Sequence, residues 1–286
     1  MQKIKEIIKL LRVKHYIKNL LVFLPLLFSQ QLFSAPQKLI AVCWGFVSFC
    51  LVSSAVYIFN DIQDVEKDRK HPTKKNRPIA SGAVGQREAI VYGAICAAAA
   101  VAINLALGSL WGLGLLLLYL VLNVAYSLGL KNKAIIDVTI LTSGFLIRLL
   151  YGSALTQIPI SEWMFLTITA GVFYLGLGKR RNELIRIEKS AETRAVLKYY
   201  TYSFLDKNMY ISATLAIVFY TLWVVSREIP LLIWTVPAVM LIFMRYSLDM
   251  EANSDGDPVE IILHDWVLLV MCCLYGLFMV SALYLH

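Results

Sequence analysis

Charged side chains are scarce in this chain. Only 16% of its 286 residues are Asp, Glu, Lys or Arg, against 59% that are hydrophobic. That balance excludes an ordinary soluble domain and belongs to a polytopic membrane protein. Cysteine is sparse too, and Cys43, Cys50, Cys96, Cys272 and Cys273 all lie inside apolar runs. None stands at metal-ligand spacing from a histidine, so neither a disulfide framework nor a zinc site is indicated, and the five read as small packing residues. No Pro/Gly/Ser-rich linker interrupts the chain, which reads as one domain over residues 1–286. The two halves also lack a matched pair of Gly/Pro-broken spans, the pattern that would favour a transporter or lipid flippase.

What is present is a series of apolar runs, at about residues 19–34, 38–59, 88–107, 110–128, 134–154, 162–178, 208–226, 230–248 and 264–284. These predict an all-α bundle of nine membrane-spanning helices. The segment 2–14 ahead of them is too charged for the apolar core of a signal peptide. Its Ile4, Ile7, Ile8 and Leu11 recur at helical spacing opposite Lys3, Lys5, Lys9 and Arg12, which predicts an amphipathic helix lying on the membrane surface. Of the 27 Lys and Arg residues, only Lys38 and Arg227 fall in loops on one side, while Arg148 lies within a span and all the others collect on the opposite side. The positive-inside rule then places the N-terminus and the long loops in the cytoplasm and the C-terminus outside, in the plasma (inner) membrane. The formal charge of +8 mostly reflects this asymmetry, with its attraction for anionic headgroups and substrates, and gives no indication of nucleic acid.

The most informative stretch is 60–82. The apolar run 39–59 ends directly in Asn60, Asp61, Asp64 and Asp68, and Lys74, Lys75 and Arg77 follow ahead of Pro78-Ile79-Ala80-Ser81-Gly82. Asn60, Asp64 and Asp68 are spaced i, i+4, i+8, which puts them on one helical face if the helix continues. Carboxylates stacked at a helix C-terminus repel one another and face the negative end of the dipole, so the arrangement calls for a counterion. Oxygen ligands without His or Cys suit Mg²⁺, which usually completes its shell with substrate phosphates and water. The downstream cations would meet the remaining phosphate charge. The bland alternative is a solvated loop of mixed charge.

Weaker signals come later. Gly178-Lys179-Arg180-Arg181-Asn182-Glu183 follows the sixth run and is either a positive-inside stop with a surface ion pair or a second anion clamp. Asp137 and Arg148 are eleven residues apart, roughly 16 Å along a helix, too far to pair directly. An arginine near the bilayer middle marks a functional site or a bridge between helices. The acidic stretch 249–260 mimics the start of an EF-hand at Glu251, Asn253, Asp255 and Gly256, but Ile262 stands where the bidentate Glu is needed, so it reads as a solvated loop.

A nine-helix pattern with N-D-x-x-D-x-x-x-D after the second helix and then R-P-I-A-S-G resembles the UbiA superfamily of intramembrane transferases over essentially the whole chain. Within it, the chain looks most like the decaprenyl-phosphate phosphoribosyltransferase branch. The residues that carry this are Lys18-Asn19-Leu20-Leu21-Val22-Phe23, His71-Pro72-Thr73-Lys74 ahead of Arg77-Pro78, Tyr126-Ser127 with Lys131, Asp137 with Ser143-Gly144-Phe145 and Arg148, Gly178-Lys179-Arg180 with Glu183, and Arg245-Tyr246. Aromatic prenyltransferases of the superfamily usually carry a second Asp-rich motif after the sixth helix. Here that place holds Lys179, Arg180 and Arg181, which suits a more heavily phosphorylated substrate pair.

The resemblance implies transfer of 5-phosphoribose from phosphoribosyl diphosphate to a polyprenyl phosphate within a lipid membrane. It implies Mg²⁺ held by Asn60, Asp64 and Asp68, with Asp61 supporting. Lys18, Arg77, Tyr126 and Lys131 would contact phosphate, and Lys179, Arg180 and Glu183 the donor's ribose or 5-phosphate. Asp137 would act with Asp64 and Asp68 in catalysis, by orienting the ribose or stabilising charge at its anomeric carbon, while Arg148 would bind substrate or brace helices. A homo-oligomer is compatible with the sequence. The rival readings are a prenyltransferase using an isoprenyl diphosphate and a small aromatic acceptor, and a lipid transporter. A CDP-alcohol phosphotransferase is weakened because no Asp-Gly follows the first Asp pair.

Overall fold

The computed structural model describes residues 2–187, 195–251 and 258–285, and among these every regular element is helical. Residues 252–257, the middle of the EF-hand-like stretch, and His286 lie outside the described residues. In chain order the α-helices are α1 (Gln2–Leu11), α2 (Leu24–Phe28), α3 (Pro36–Gln63), α4 (Val65–Lys70), α5 (Gln86–Ala106), α6 (Leu110–Leu128), α7 (Ile136–Thr156), α8 (Glu162–Ile187), α9 (Tyr202–Ser226), α10 (Thr235–Glu251), α11 (Pro258–His264) and α12 (Trp266–Tyr284).

Seven helices among the described residues are long and apolar enough to cross a membrane: α3, α5, α6, α7, α9, the stretch Pro230–Glu251 that contains α10, and α12. The sequence pattern predicts nine. The first run, 19–34, does not form one long α-helix. Val13–Phe23 winds as a 3-10 helix, Pro25 starts the short α2, and Gln30, at φ 62°, lies in the left-handed region just beyond it. The sixth run, 162–178, lies within α8, a 26-residue helix whose C-terminal part carries Lys179, Arg180, Arg181 and Glu183. The N-terminal segment is helical over Gln2–Leu11, as α1. Its Leu10 is fully buried, while Ile4 and Ile8 remain exposed.

The helix limits follow local chemistry. Pro36 opens α3, where its missing N–H costs nothing. Ser109, Thr201 and Asp265 cap α6, α9 and α12 by accepting a backbone N–H from the first turn.

The chain divides into two compact units. The first comprises residues up to Lys131 together with Ile147–Ile158. The second comprises Asn132–Leu146 and Pro159–His286. In the first unit α3 packs along α5, and Val22, Leu26, Phe49, Leu116, Tyr119 and Tyr151 form its core. Gly152 permits a close approach there: a Cβ added to it would lie 2.0 Å from the carbonyl oxygen of Val22. Because lipid removes most of the hydrophobic drive between helices, close packing and interhelical hydrogen bonds matter more. Asn104 supplies two such bonds from α5, to Ser48 Oγ at 2.7 Å and to Tyr151 Oη at 2.8 Å. In the second unit α8 packs along α9 around Tyr174, Leu177, Val196, Leu197, Tyr200, Leu205 and Met250.

Candidate functional site

The acidic ladder lies in the first unit, where α3 gives way to α4. The helix breaks at Asp64 (φ −96°, ψ 7°), yet two backbone bonds carry the helical path across the break. Asp64 N–H donates to Asn60 O at 3.0 Å, and Asp68 N–H donates to Asp64 O at 2.8 Å. Asn60, Asp64 and Asp68 therefore remain one turn apart, as the spacing predicts.

Each ladder member has a side-chain partner. Ser127 Oγ donates to Asn60 Oδ1 at 3.1 Å. Lys131 Nζ donates to both oxygens of Asp64, at 2.7 and 2.9 Å. Arg77 Nη1 donates to Asp68 Oδ2 at 2.6 Å and to Asp61 Oδ1 at 3.0 Å. Asp61, only 2% exposed, also accepts from Arg12 Nη2 at 2.5 Å. The like-charge repulsion that calls for a divalent ion is thus offset by the chain's own Lys131, Arg77 and Arg12. Lys74 lies half-buried and Lys75 exposed in the turn before Arg77.

Arg12 is a site residue that the sequence pattern hides. It sits after α1 with φ 53° and ψ 46°, a left-handed conformation costly for a residue with a Cβ. That conformation ends α1 and starts the 3-10 segment. The guanidinium stacks over Tyr57 at 4.7 Å and reaches Asp61. In the sequence it is one cation among several on an amphipathic segment, and nothing in the spacing of residue 12 signals a partner at residue 61.

The ladder's donor set fits a hard divalent cation. Asn60, Asp64 and Asp68 offer only oxygens, and Asp64 already turns both of them towards one cationic centre, the Lys131 ammonium. Among the described residues, however, no three His, Cys, Asp or Glu side chains are grouped to hold a metal ion. A cation here would draw on one or two carboxylates and take the rest of its shell from a ligand, the usual habit of Mg²⁺ with phosphates. The neighbouring phosphate-contact candidates Lys18 and Tyr126 are both half-buried.

Arg148 occupies a separate buried knot in the first unit. Its Nε donates to Asn19 Oδ1 at 2.7 Å and its Nη2 to Tyr119 Oη at 3.2 Å and Ser53 Oγ at 3.4 Å. The guanidinium also lies over the rings of Phe49 and Tyr119, at 4.8 and 4.9 Å. Asn19 in turn donates to Cys50 Sγ. The knot ties the 3-10 segment to α3, α6 and the later half of α7.

The second unit holds its own charged cluster. Asp137, in the first turn of α7, is fully buried, and so is Arg180 of α8. Arg180 Nε donates to Asp137 Oδ2 at 2.6 Å, and its Nη1 donates to Glu183 Oε2 at 2.6 Å. Tyr200 Oη donates to Asp137 Oδ1 at 2.6 Å and accepts the N–H of Ile135 at 2.7 Å. Burial and then the bond to Asp137 push the Tyr200 hydroxyl up to about 12, so it is a neutral donor at physiological pH. Lys179 is half-buried, and the Glu183 side chain is 19% exposed. Asp137 and Arg180 are thus bonded to each other inside the cluster, and Tyr200 is a member that the motif spacing misses. Its only sequence signal is an aromatic pair ahead of the α9 run.

The chain matches the UbiA prenyltransferase family over residues 20–264. A decaprenyl-phosphate phosphoribosyltransferase from Mycolicibacterium smegmatis is 35% identical over 284 residues, spanning 94% of this chain and 89% of the relative. A protein of the same name from Corynebacterium glutamicum is 32% identical over 290 residues, spanning 97% of this chain and 86% of the relative. Among solved structures, a UbiA homolog from Archaeoglobus fulgidus bound to GPP and Mg²⁺ shares the fold, with a TM-score of 0.71, 15% identity and 98% of each chain covered.

Proposed function

Because the chain belongs to the UbiA prenyltransferase family, we propose that it transfers 5-phosphoribose from phosphoribosyl diphosphate to a polyprenyl phosphate and releases diphosphate. The observation that carries this reading is the near full-length similarity to proteins named for that reaction. In sequence, Lys179, Arg180 and Arg181 stand where aromatic prenyltransferases carry a second acidic motif, although Arg180 is turned to Asp137 and Glu183 and Arg181 to Asp206.

In this reading Asn60, Asp64 and Asp68 hold Mg²⁺, which when bound neutralises charge on the departing diphosphate. Lys131 turns from Asp64, and Arg77 from Asp68, to phosphate oxygens, and Lys18 and Tyr126 add further contacts. Asp61 holds Arg12 and Arg77 in place. The acceptor needs no strong general base, since a phosphate monoester's second pKa near ~6 leaves its oxygen ionised at neutral pH. That oxygen forms a bond to the anomeric carbon as the carbon–oxygen bond to diphosphate breaks, and the electron pair leaves with diphosphate. A single displacement inverts the anomeric centre, and the chain contributes mainly positioning and charge.

The same reading makes the two units act as one transferase domain. It counts nine crossings, with the 19–34 segment and α8 joining the seven helices named above. Ile4 and Ile8 set α1 on the cytoplasmic membrane surface, and the basic loops lie on that side with the C-terminus outside.

The test supplies purified protein with native lipid extract and either labelled phosphoribosyl diphosphate or labelled isoprenyl diphosphate. A phosphoribosylated polyprenyl phosphate in the mass spectrum is the expected product, and transfer from the isoprenyl donor alone overturns the reading. Asp64→Ala should abolish Mg²⁺-dependent turnover while leaving the protein in the membrane, so retained turnover removes the metal assignment.

A further inference from the structure

Asp61, Asp64 and Asp68 carry three formal negative charges, and Asn60 beside them carries none. The side chains bonded to them carry three positive charges. Arg12 Nη2 reaches Asp61 at 2.5 Å, Arg77 Nη1 reaches Asp61 at 3.0 Å and Asp68 at 2.6 Å, and Lys131 Nζ reaches Asp64 at 2.7 Å. Three carboxylates against three cations leave the cluster formally neutral. All six residues belong to the first unit. Water screens them poorly, since the six side chains are only 2–26% exposed.

A divalent cation entering this cluster alone would add two uncompensated positive charges beside Lys131 and Arg77. Lys131 competes with it most directly. Its ammonium spans both oxygens of Asp64, at 2.7 and 2.9 Å, which is how a carboxylate presents itself to a metal. Arg77 can leave Asp68 and keep Asp61, whereas Lys131 has to leave Asp64 altogether. A diphosphate group removes the excess charge, and its oxygens accept from an ammonium as those of Asp64 do. Lys131 suits such a transfer. It sits in the short 3-10 turn Leu130–Asn132 after α6, and a lysine carries a compact charge on a flexible stem with no rigid fork to match.

We propose that Lys131 makes metal and diphosphate binding interdependent: the ladder takes a divalent cation together with a diphosphate group, and Lys131 passes from Asp64 to a phosphate oxygen as they enter. This rests on the phosphoribosyl reading above and names the form in which the donor binds, the metal complex of its diphosphate. By linkage, each of the two ligands tightens the other by the same factor. After transfer, the return of Lys131 to Asp64 favours departure of metal and diphosphate together.

The test first measures metal binding without substrate, from the electron paramagnetic resonance signal of free Mn²⁺ over the purified full-length protein. Lys131→Met keeps an apolar stem and removes the charge. It should tighten Mn²⁺ roughly tenfold, within the ~5–150-fold range usual for coupled sites. Adding Asp64→Ala should abolish the gain, which ties it to the ladder. Retention of labelled inorganic diphosphate in the presence of Mg²⁺ should weaken in Lys131→Met. Lys131→Gln gives a second version of both measurements if the first folds poorly. Opposite signs for metal and diphosphate support the proposal. An unaltered or weaker Mn²⁺ affinity overturns it, as does undiminished diphosphate retention. A gain that survives Asp64→Ala also overturns it, since the ion would then be an adventitious one at surface sites. A wild type that makes no phosphoribosylated lipid overturns the functional reading and the identity of the donor, while the Mn²⁺ comparison still decides the role of Lys131. An active wild type whose Lys131 variants bind Mn²⁺ unchanged overturns this proposal alone.

Discussion

Replacing Asp61 with alanine should cost stability more than any other change in the acidic ladder. Its carboxylate is 2% exposed and accepts from two guanidinium groups, Arg12 at 2.5 Å and Arg77 at 3.0 Å. Removing one partner of a buried ion pair costs about 3–5 kcal/mol because the other is left uncompensated. Arg12 and Arg77 have side chains 19% and 26% exposed, so both can turn partly towards water, and the low end, about 3 kcal/mol, applies. For a chain of this size that corresponds to a fall of about 6–12 °C in melting temperature. The assay is thermal unfolding of the purified protein in detergent, followed by intrinsic fluorescence. Arg12→Ala and the double variant complete a cycle, in which the double variant should be less unstable than the two single losses added together. Asp64→Ala supplies the contrast. Its pair with Lys131 is part-exposed, so melting should move little although turnover is lost. An Asp61→Ala protein melting within about 2 °C of wild type would refute the claim that Asp61 anchors the ladder's counter-charge.

Gly152→Ala should destabilise the first unit, because the new Cβ meets the Val22 carbonyl at 2.0 Å and backbone must move, whereas Gly114→Ala, with nothing within 4 Å, should melt like wild type. Equal melting for both variants would contradict that close approach. The Tyr200 hydroxyl is raised from 10.0 to about 12, so the stability it lends is fully present below pH 10 and is lost as pH rises through about 12. Melting temperature should accordingly show no step from Tyr200 between about pH 7 and 9.5. A wild-type step in that range that Tyr200→Phe abolishes would count against the assignment.

The ladder was legible in the sequence because its logic is local. The spacing of Asn60, Asp64 and Asp68 is a helical repeat, and the backbone bonds across the break at Asp64 preserve it. Its neutralisation was not legible. Lys131 lies 67 residues from Asp64 and Arg12 lies 49 from Asp61, and periodicity carries no information at such distances. Seven of the nine apolar runs lie in helices long and apolar enough to cross a membrane among the described residues. The 19–34 run instead breaks at Pro25 into short pieces. In sequence Arg180 reads as one cation of a basic stretch, and its burial against Asp137 depends on tertiary packing that spacing does not carry. Tyr200 was invisible for the same reason, since its partners Asp137 and Ile135 lie more than 60 residues earlier.

Arg12 has a practical consequence. The family model matches from residue 20, so a protein trimmed to that boundary would keep the matched stretch yet lack the guanidinium that meets Asp61. Arg77 would then have to satisfy Asp61 and Asp68 unaided. Shortened versions of this chain should be poor starting material for crystallisation or screening, and a purification handle belongs at the far terminus, away from Arg12.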